Sequence, residues 1–185
     1  MHMNDNELIR QYITGDQGAF EIIIHRYTKV LYRFIYPILK DVHATNDCIQ
    51  EVFIKVWKNI KKYNQNQSFK NWIFTIAHRT ALDIIKKKKN IPFSVLDSEN
   101  SIFEENIPDE ELLPDAIFEN EENVKLVKKA LENLPPSIQI IILLHNGENM
   151  TFEEISTITN TSINTVKSRY RRALIKLKND IAPKL

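Results

Sequence analysis

The chain has 185 residues, 43% of them hydrophobic and 26% charged, an ordinary globular composition with room for one large domain or two small ones. Three glycines and seven prolines argue against a turn-rich β protein, and a single cysteine, Cys48, excludes a disulfide framework and a cysteine-rich zinc site. No apolar run reaches membrane-spanning length and no signal peptide is visible, so a soluble cytoplasmic protein without membrane insertion is expected. The net charge of +1 hides an asymmetry. Residues 1–90 carry 15 Lys/Arg and 8 Asp/Glu, residues 91–123 carry 11 acids and no base, and residues 124–185 carry 10 bases and 5 acids. Two cationic blocks are thus joined by an acidic strap.

In chain order, Asn4 to Thr14 reads as a short helix through Leu8, Ile9, Tyr12 and Ile13, closed by Gly15-Asp16. A longer helix is predicted from Gln17 to Leu39, where Pro37 should kink or end it. A third helix opens at Thr45 or Asn46, with Ile49, Val52, Phe53, Val56, Trp57 and Ile60 as its buried stripe. Cys48 sits among these apolar positions as a small hydrophobe. Asp47 and Glu51 lie four apart on the outer face, but no histidine or third acid is spaced to complete a metal site with them.

Lys61 to Ser68 is polar and aperiodic, a loop in which Asn, Gln and Ser can read base edges and Tyr63 can stack on an unpaired base. A fourth helix runs from Phe69 to about Lys89, burying Phe69, Trp72, Ile73, Ile76, Ala77, Thr80 and Ile84. It exposes Asn71, Thr75, His78, Arg79 and Lys86. Its closing lysines suit both the helix dipole and phosphates. Ile91 to Asn123, with three prolines and scattered apolar residues, reads as a flexible acidic tether. A short helix from Asn123 to Leu134 follows, then one begun by Pro135-Pro136, buried through Ile138, Ile141, Ile142 and Leu144, and stopped by Asn146-Gly147.

Thr151 to Lys178 reads as two helices and a tight turn. Thr151 and Glu154 form a capping box, Asn160 tolerates the left-handed turn, and Ser162 caps the second helix. On that helix Ile163, Val166, Tyr170, Ala173, Leu174 and Leu177 form the core stripe. Asn164, Thr165, Ser168 and Arg172 face away, flanked by Lys167 and Arg171 on one side and Arg169 on the other. Short polar groups rimmed by cations suit the major groove, so a helix-turn-helix that holds DNA is expected, the alternative being a surface helix with solvated charges. No strand pattern occurs; the expected fold is all-α, with two small helical domains.

The run Asp47-Cys48-Ile49-Gln50-Glu51-Val52-Phe53 with Trp57, and the run from Ser68-Phe69 through Trp72-Ile73, Ile76-Ala77 and Ala81-Leu82-Asp83, resemble region two of bacterial sigma factors. Leu134-Pro135-Pro136, Thr151-Phe152-Glu153-Glu154-Ile155 and Thr165-Val166-Lys167-Ser168-Arg169 resemble region four. Two such domains and no others are similar to the extracytoplasmic-function (ECF) group. The resemblance implies a four-helix region two domain over 1–90, an acidic linker over 91–122 and a region four domain over 123–185. Asp47, Gln50 and Glu51 would dock on the clamp helices of the polymerase β′ subunit, and region four would meet the β flap. Tyr63, Asn64, Asn66 and Ser68 would capture a flipped base of the promoter −10 element. Asn71, Thr75, His78, Arg79 and Lys86 would meet the opened −10 strand. Ser162, Asn164, Thr165, Lys167, Ser168, Arg169, Arg171 and Arg172 would read the −35 duplex.

The partners so implied are core RNA polymerase, promoter DNA and an anti-sigma factor, with no cofactor, metal or small-molecule substrate. The energy for strand opening would come from binding the flipped base and single strand, since no Gly-rich phosphate loop is present. The competing reading is a stand-alone dimeric helix-turn-helix regulator, which predicts polymerase-independent binding to a palindrome. A metal-dependent nuclease using Asp47 and Glu51 is the third and weakest.

Overall fold

The computed structural model describes residues 3–89 and 129–181, without the side chains of 88, 89 and 181. The expected acidic tether and the start of the helix predicted at Asn123 lie outside the described residues; residues 129–132 are helical. The N-terminal unit consists of α1 (Asp5–Ile13), α2 (Gln17–Leu39), α3 (Val42–Asn59) and α4 (Phe69–Lys89), with a 3-10 turn at Ile60–Lys62. The C-terminal unit holds α5 (Pro136–Ile142), a π-helical turn (Leu143–Gly147), α6 (Phe152–Thr159) and α7 (Ile163–Ile181). Every regular element among the described residues is helical.

Local chemistry sets the boundaries. Asn4 caps α1 by accepting from the Glu7 amide, and Asp16 caps α2 by accepting from the Gly18 amide. Pro37 leaves α2 intact for two more residues, until Lys40 in the left-handed region closes it with an amide bond to Tyr36 O at 2.7 Å. So close to a terminus, the missing proline donor costs a single intrahelical bond. The start of α3 differs from expectation. It begins at Val42, because Asp41 is extended and accepts from the Ala44 amide at 2.7 Å, ahead of the expected opening at Thr45 or Asn46. Thr45 is instead fully buried, its hydroxyl donating to Asp41 O.

The N-terminal core gathers Leu8, Ile23, Leu31, Phe34, Val52, Val56, Ile73 and Phe74, all at 0% exposure. Phe34 and Phe74 meet edge to face at 5.0 Å. Phe74 was not expected inside; α4 packs on both α2 and α3, so the core reaches a step round from Ile73. Cys48 is buried as expected, and burial first, with Glu51 nearby, pushes its thiol up to about 12. It is chemically quiet.

The same core continues into the C-terminal unit through Ile140, Ile141, Leu144, Met150, Ile155, Ile158, Val166 and Tyr170. α5 touches both α7 and α2, and α6 lies on α4 as well as on α7. With neighbours on two sides, no residue from Leu134 to His145 is exposed. Ile140 is therefore as buried as Ile141, whereas Ile138 and Ile142, expected at the centre, are only partly covered. A second cluster of Ala130, Leu134, Ala173 and Leu177 ties the 129–132 stretch to α7.

Candidate nucleic-acid interface

The helix-turn-helix forms as its sequence requires. Thr151 Oγ1 accepts from the Glu154 amide at 3.2 Å and Glu154 Oε2 accepts from the Thr151 amide at 2.8 Å, the full capping box. Asn160 closes α6 at φ 52° and ψ 43°, a left-handed conformation that Asn adopts at small cost. Ser162 Oγ accepts from the Thr165 amide at 3.2 Å and lies 2.8 Å from the Thr165 hydroxyl. Beneath this turn His145 stacks on Phe152 at 4.3 Å and meets Tyr170 edge-on at 4.9 Å, fixing the angle between α6 and α7.

On α7 the structure brings the predicted residues to one outward surface. Ser162, Asn164, Lys167, Ser168, Arg171 and Arg172 are exposed, and Thr165 and Arg169 are half-buried at its border. Arg172 reaches back along the helix, donating from Nε to Ser168 O and from Nη2 to Ser168 Oγ, each at 3.3 Å. There is no acid in the first turn of α7. The helix N-terminus and the cations together present positive potential to an approaching phosphate.

The loop before α4 is held over an aromatic floor. Asn64, Gln65, Asn66, Gln67 and Ser68 are exposed, while Tyr63 below them is only 8% exposed. The Tyr63 hydroxyl donates to Gln67 O, and its ring packs on Phe69 at 5.6 Å and Trp72 at 4.9 Å. The expected stacking platform is thus a buried support, and the half-buried Trp72 is the ring nearest the surface. Asn64 Oδ1 accepts from the Asn66 amide at 3.0 Å, and Asn6 Nδ2 on α1 donates to Gln65 O at 3.2 Å. Ser68 caps α4, its Oγ accepting from the Asn71 amide at 3.3 Å.

Along α4 the expected exposure holds for Arg79 alone. Asn71, Thr75, His78 and Lys86 are half-buried. Asn71 Nδ2 donates to Glu154 Oε1 at 2.7 Å, and neighbouring Lys70 pairs with Glu148 Oε2 at 2.8 Å and donates to Glu148 O at 2.7 Å. His78 lies 6.4 Å from the Phe34 ring. Burial first, then the Arg79 charge, pulls its pKa down to about 4, so the ring is neutral at pH 7.

A third surface lies on α3. Asp47, Gln50 and Glu51 are exposed, and Glu51 pairs with Lys55 at 2.9 Å. Ile54 and Trp57 continue the same helical face, 50% and 54% exposed. Periodicity placed Trp57 in the core and passed over Ile54; both are surface residues. The useful signal was the spacing from Asp47 through Gln50, Ile54 and Trp57, which puts apolar groups beyond the acids on one stripe. Among the described residues no three His, Cys, Asp or Glu side chains gather into a metal site, and no helix is long and apolar enough to cross a membrane.

Comparison with known proteins agrees with this layout. Residues 23–91 match the Sigma-70 region 2 family and residues 125–177 match the Sigma-70 region 4 family. The chain is 31% identical to the ECF RNA polymerase sigma factor SigW of Bacillus subtilis (strain 168), covering 98% of both chains. It is 28% identical to the ECF RNA polymerase sigma-E factor of Escherichia coli (strain K12), over 98% of this chain and 96% of that one. Among solved structures, CnrH in complex with the cytosolic domain of CnrY shares the fold at a TM-score of 0.63 and 18% identity, over 98% and 99% of the two chains. The sigma factor RpoE in complex with the anti-sigma factor NepR from Bartonella quintana shares it at 0.60 and 22%, over 85% and 95%.

Proposed function

As the chain belongs to the ECF sigma factors of RNA polymerase, a family of transcription initiation factors, we propose that its three surfaces divide promoter recognition among them. The α7 face reads the −35 element as duplex. Asn164 and Ser168 reach base edges, while Lys167, Arg169, Arg171 and Arg172 neutralise phosphates. The loop of Asn64, Asn66 and Ser68 over Tyr63 and Trp72 holds a flipped −10 base, and the α4 edge at Asn71, Thr75, His78, Arg79 and Lys86 follows the opened strand. The α3 face of Asp47, Gln50, Glu51, Ile54 and Trp57 docks on the clamp helices of the polymerase β′ subunit, and the C-terminal unit meets the β flap.

The observation that carries this reading is the coexistence of an open cationic helix face on α7 with an exposed acidic and apolar stripe on α3. A DNA-binding domain acting alone has no need of the second. An apolar pair left at half exposure beside carboxylates fits a protein partner. The chain acts without catalysis of its own, as an initiation subunit in the cytoplasm. An anti-sigma factor is the expected antagonist, in keeping with the two structural neighbours, each solved in a complex: CnrH with the cytosolic domain of CnrY, and the sigma factor RpoE with the anti-sigma factor NepR.

The test is selection from random promoter DNA by gel shift and abortive transcription, with and without core polymerase. Specific binding and transcripts that require core, and a selected sequence with two separated elements, are expected. Selection of a palindrome by the protein alone, indifferent to core, would establish the dimeric regulator instead.

A further inference from the structure

Lys70 and Asn71 stand side by side at the start of α4, next to the loop over the aromatic floor, and both are occupied from the C-terminal unit. Each is held by a carboxylate: Lys70 Nζ by Glu148 at 2.8 Å and Asn71 Nδ2 by Glu154 at 2.7 Å. Glu148 follows the π-helical turn, and its side chain is only 10% exposed. Glu154 has two tasks, since Oε2 caps α6 while Oε1 faces Asn71. By contrast, the pairs Arg10–Glu7, Arg26–Asp5 and Lys55–Glu51 are internal to the N-terminal unit.

We propose that Glu148 and Glu154 are internal stand-ins for nucleic acid, occupying the strand-binding edge of α4 in the free protein and excluded from it when single-stranded DNA binds. This rests on the reading of α4 as the −10 strand surface. An ammonium and a side-chain amide on adjacent residues are the donor set that a phosphate and a base edge require, and here two carboxylate oxygens fill it at hydrogen-bond distance. Asn71 Nδ2, held at 2.7 Å by Glu154, has one of its two N–H donors committed, and two carboxylates on this edge repel a phosphodiester. The apolar contact of α6 on α4 holds the carboxylates in place. The proposed −35 surface on α7 lies outside this contact, with Asn164, Lys167 and Ser168 exposed.

The test uses the full chain labelled with a fluorescent donor and acceptor at Asn59→Cys and Lys176→Cys. Both positions are exposed, and the native Cys48 thiol is buried. Energy transfer reports closure, and anisotropy reports binding of a labelled random-sequence single-stranded DNA 12-mer. Glu148→Gln, which removes a charge without adding one, is expected to lower transfer and to tighten oligonucleotide binding roughly 3- to 10-fold. The paired exchange Lys70→Glu with Glu148→Lys is expected to restore transfer that Lys70→Glu alone loses. Glu148→Gln with core polymerase should transcribe as the wild type does, which keeps the strand reading separate from the closure. Unchanged oligonucleotide affinity in an opened, transcribing Glu148→Gln protein would overturn the stand-in role while leaving the initiation role intact. Failure of the exchange to restore transfer would overturn it as well. Loss of transcription by the wild-type chain with core would instead sink the strand reading beneath it.

Discussion

The two proposed nucleic-acid surfaces use similar side chains and stand in opposite states. On α7, Asn164, Lys167, Ser168, Arg171 and Arg172 are exposed around a capped helix start. On α4, Asn71, Thr75 and His78 are half-buried, and Asn71 is bonded to a carboxylate of the other unit. The α7 face already presents these side chains at the surface. The α4 edge must first lose its contact with α6. Difference in covering, not in residue type, thus separates the surface proposed to read double-stranded DNA from the one proposed to take a strand.

The largest expected effect comes from undermining the covered side. Phe74 is fully buried beneath α4 against Phe34, and Phe74→Ala should cost about 3–5 kcal/mol, read as a lowered urea midpoint. Acid should act next, and on the same side. Unfolded His78 takes up a proton below about pH 6.5, whereas the folded ring does so only at about 4. Stability from this group is complete above pH 6.5 and falls as pH drops from there towards 4, by roughly 2 kcal/mol after allowance for partial exposure. Replacement of His78 by Leu should flatten that part of the pH–stability curve. Glu154 acts in the same direction lower down. Its bond from Asn71, then that from Thr151, holds its carboxyl below the ordinary range, so its contribution is present above that range and lost as pH falls beneath it.

On the open side, Lys167→Ala with Arg171→Ala should weaken duplex binding about 10- to 100-fold and lower the salt slope by about 2, with no change in closure. The smallest effect sharpens the link between the two sides. Thr151→Ala removes one half of the capping box and should cost about 1 kcal/mol, measured by thermal unfolding. Because Glu154 then loses a partner at its own helix start, interdomain energy transfer should fall slightly as well.

Much of this was legible in the residues. α2 and α4 have the boundaries that periodicity predicts, and the α6–α7 turn follows from Thr151, Glu154, Asn160 and Ser162 alone, because caps and left-handed positions are local chemistry. Where several candidate caps compete, as from Asp41 to Asn46, spacing alone does not choose among them, and α3 starts three to four residues earlier than expected. Trp57 lies one step from buried Val56, and a helical stripe does not tell an aromatic that faces the core from one that faces a partner. Phe74 and Ile140 are buried because their helices are flanked on two sides, a tertiary fact. The closed edge was the least legible feature. Glu154 already had a complete local explanation as a cap, and its second oxygen finds Asn71 across 83 positions of sequence.

The most direct test of the difference between the two surfaces is the interdomain energy transfer of the labelled wild-type chain, followed through initiation. Added −35 duplex alone should leave transfer high, whereas assembly with core polymerase on a complete promoter should abolish it as the strand enters α4. High transfer that persists in a transcribing complex would contradict the account, because the α4 edge would then serve promoter opening while still covered by α6.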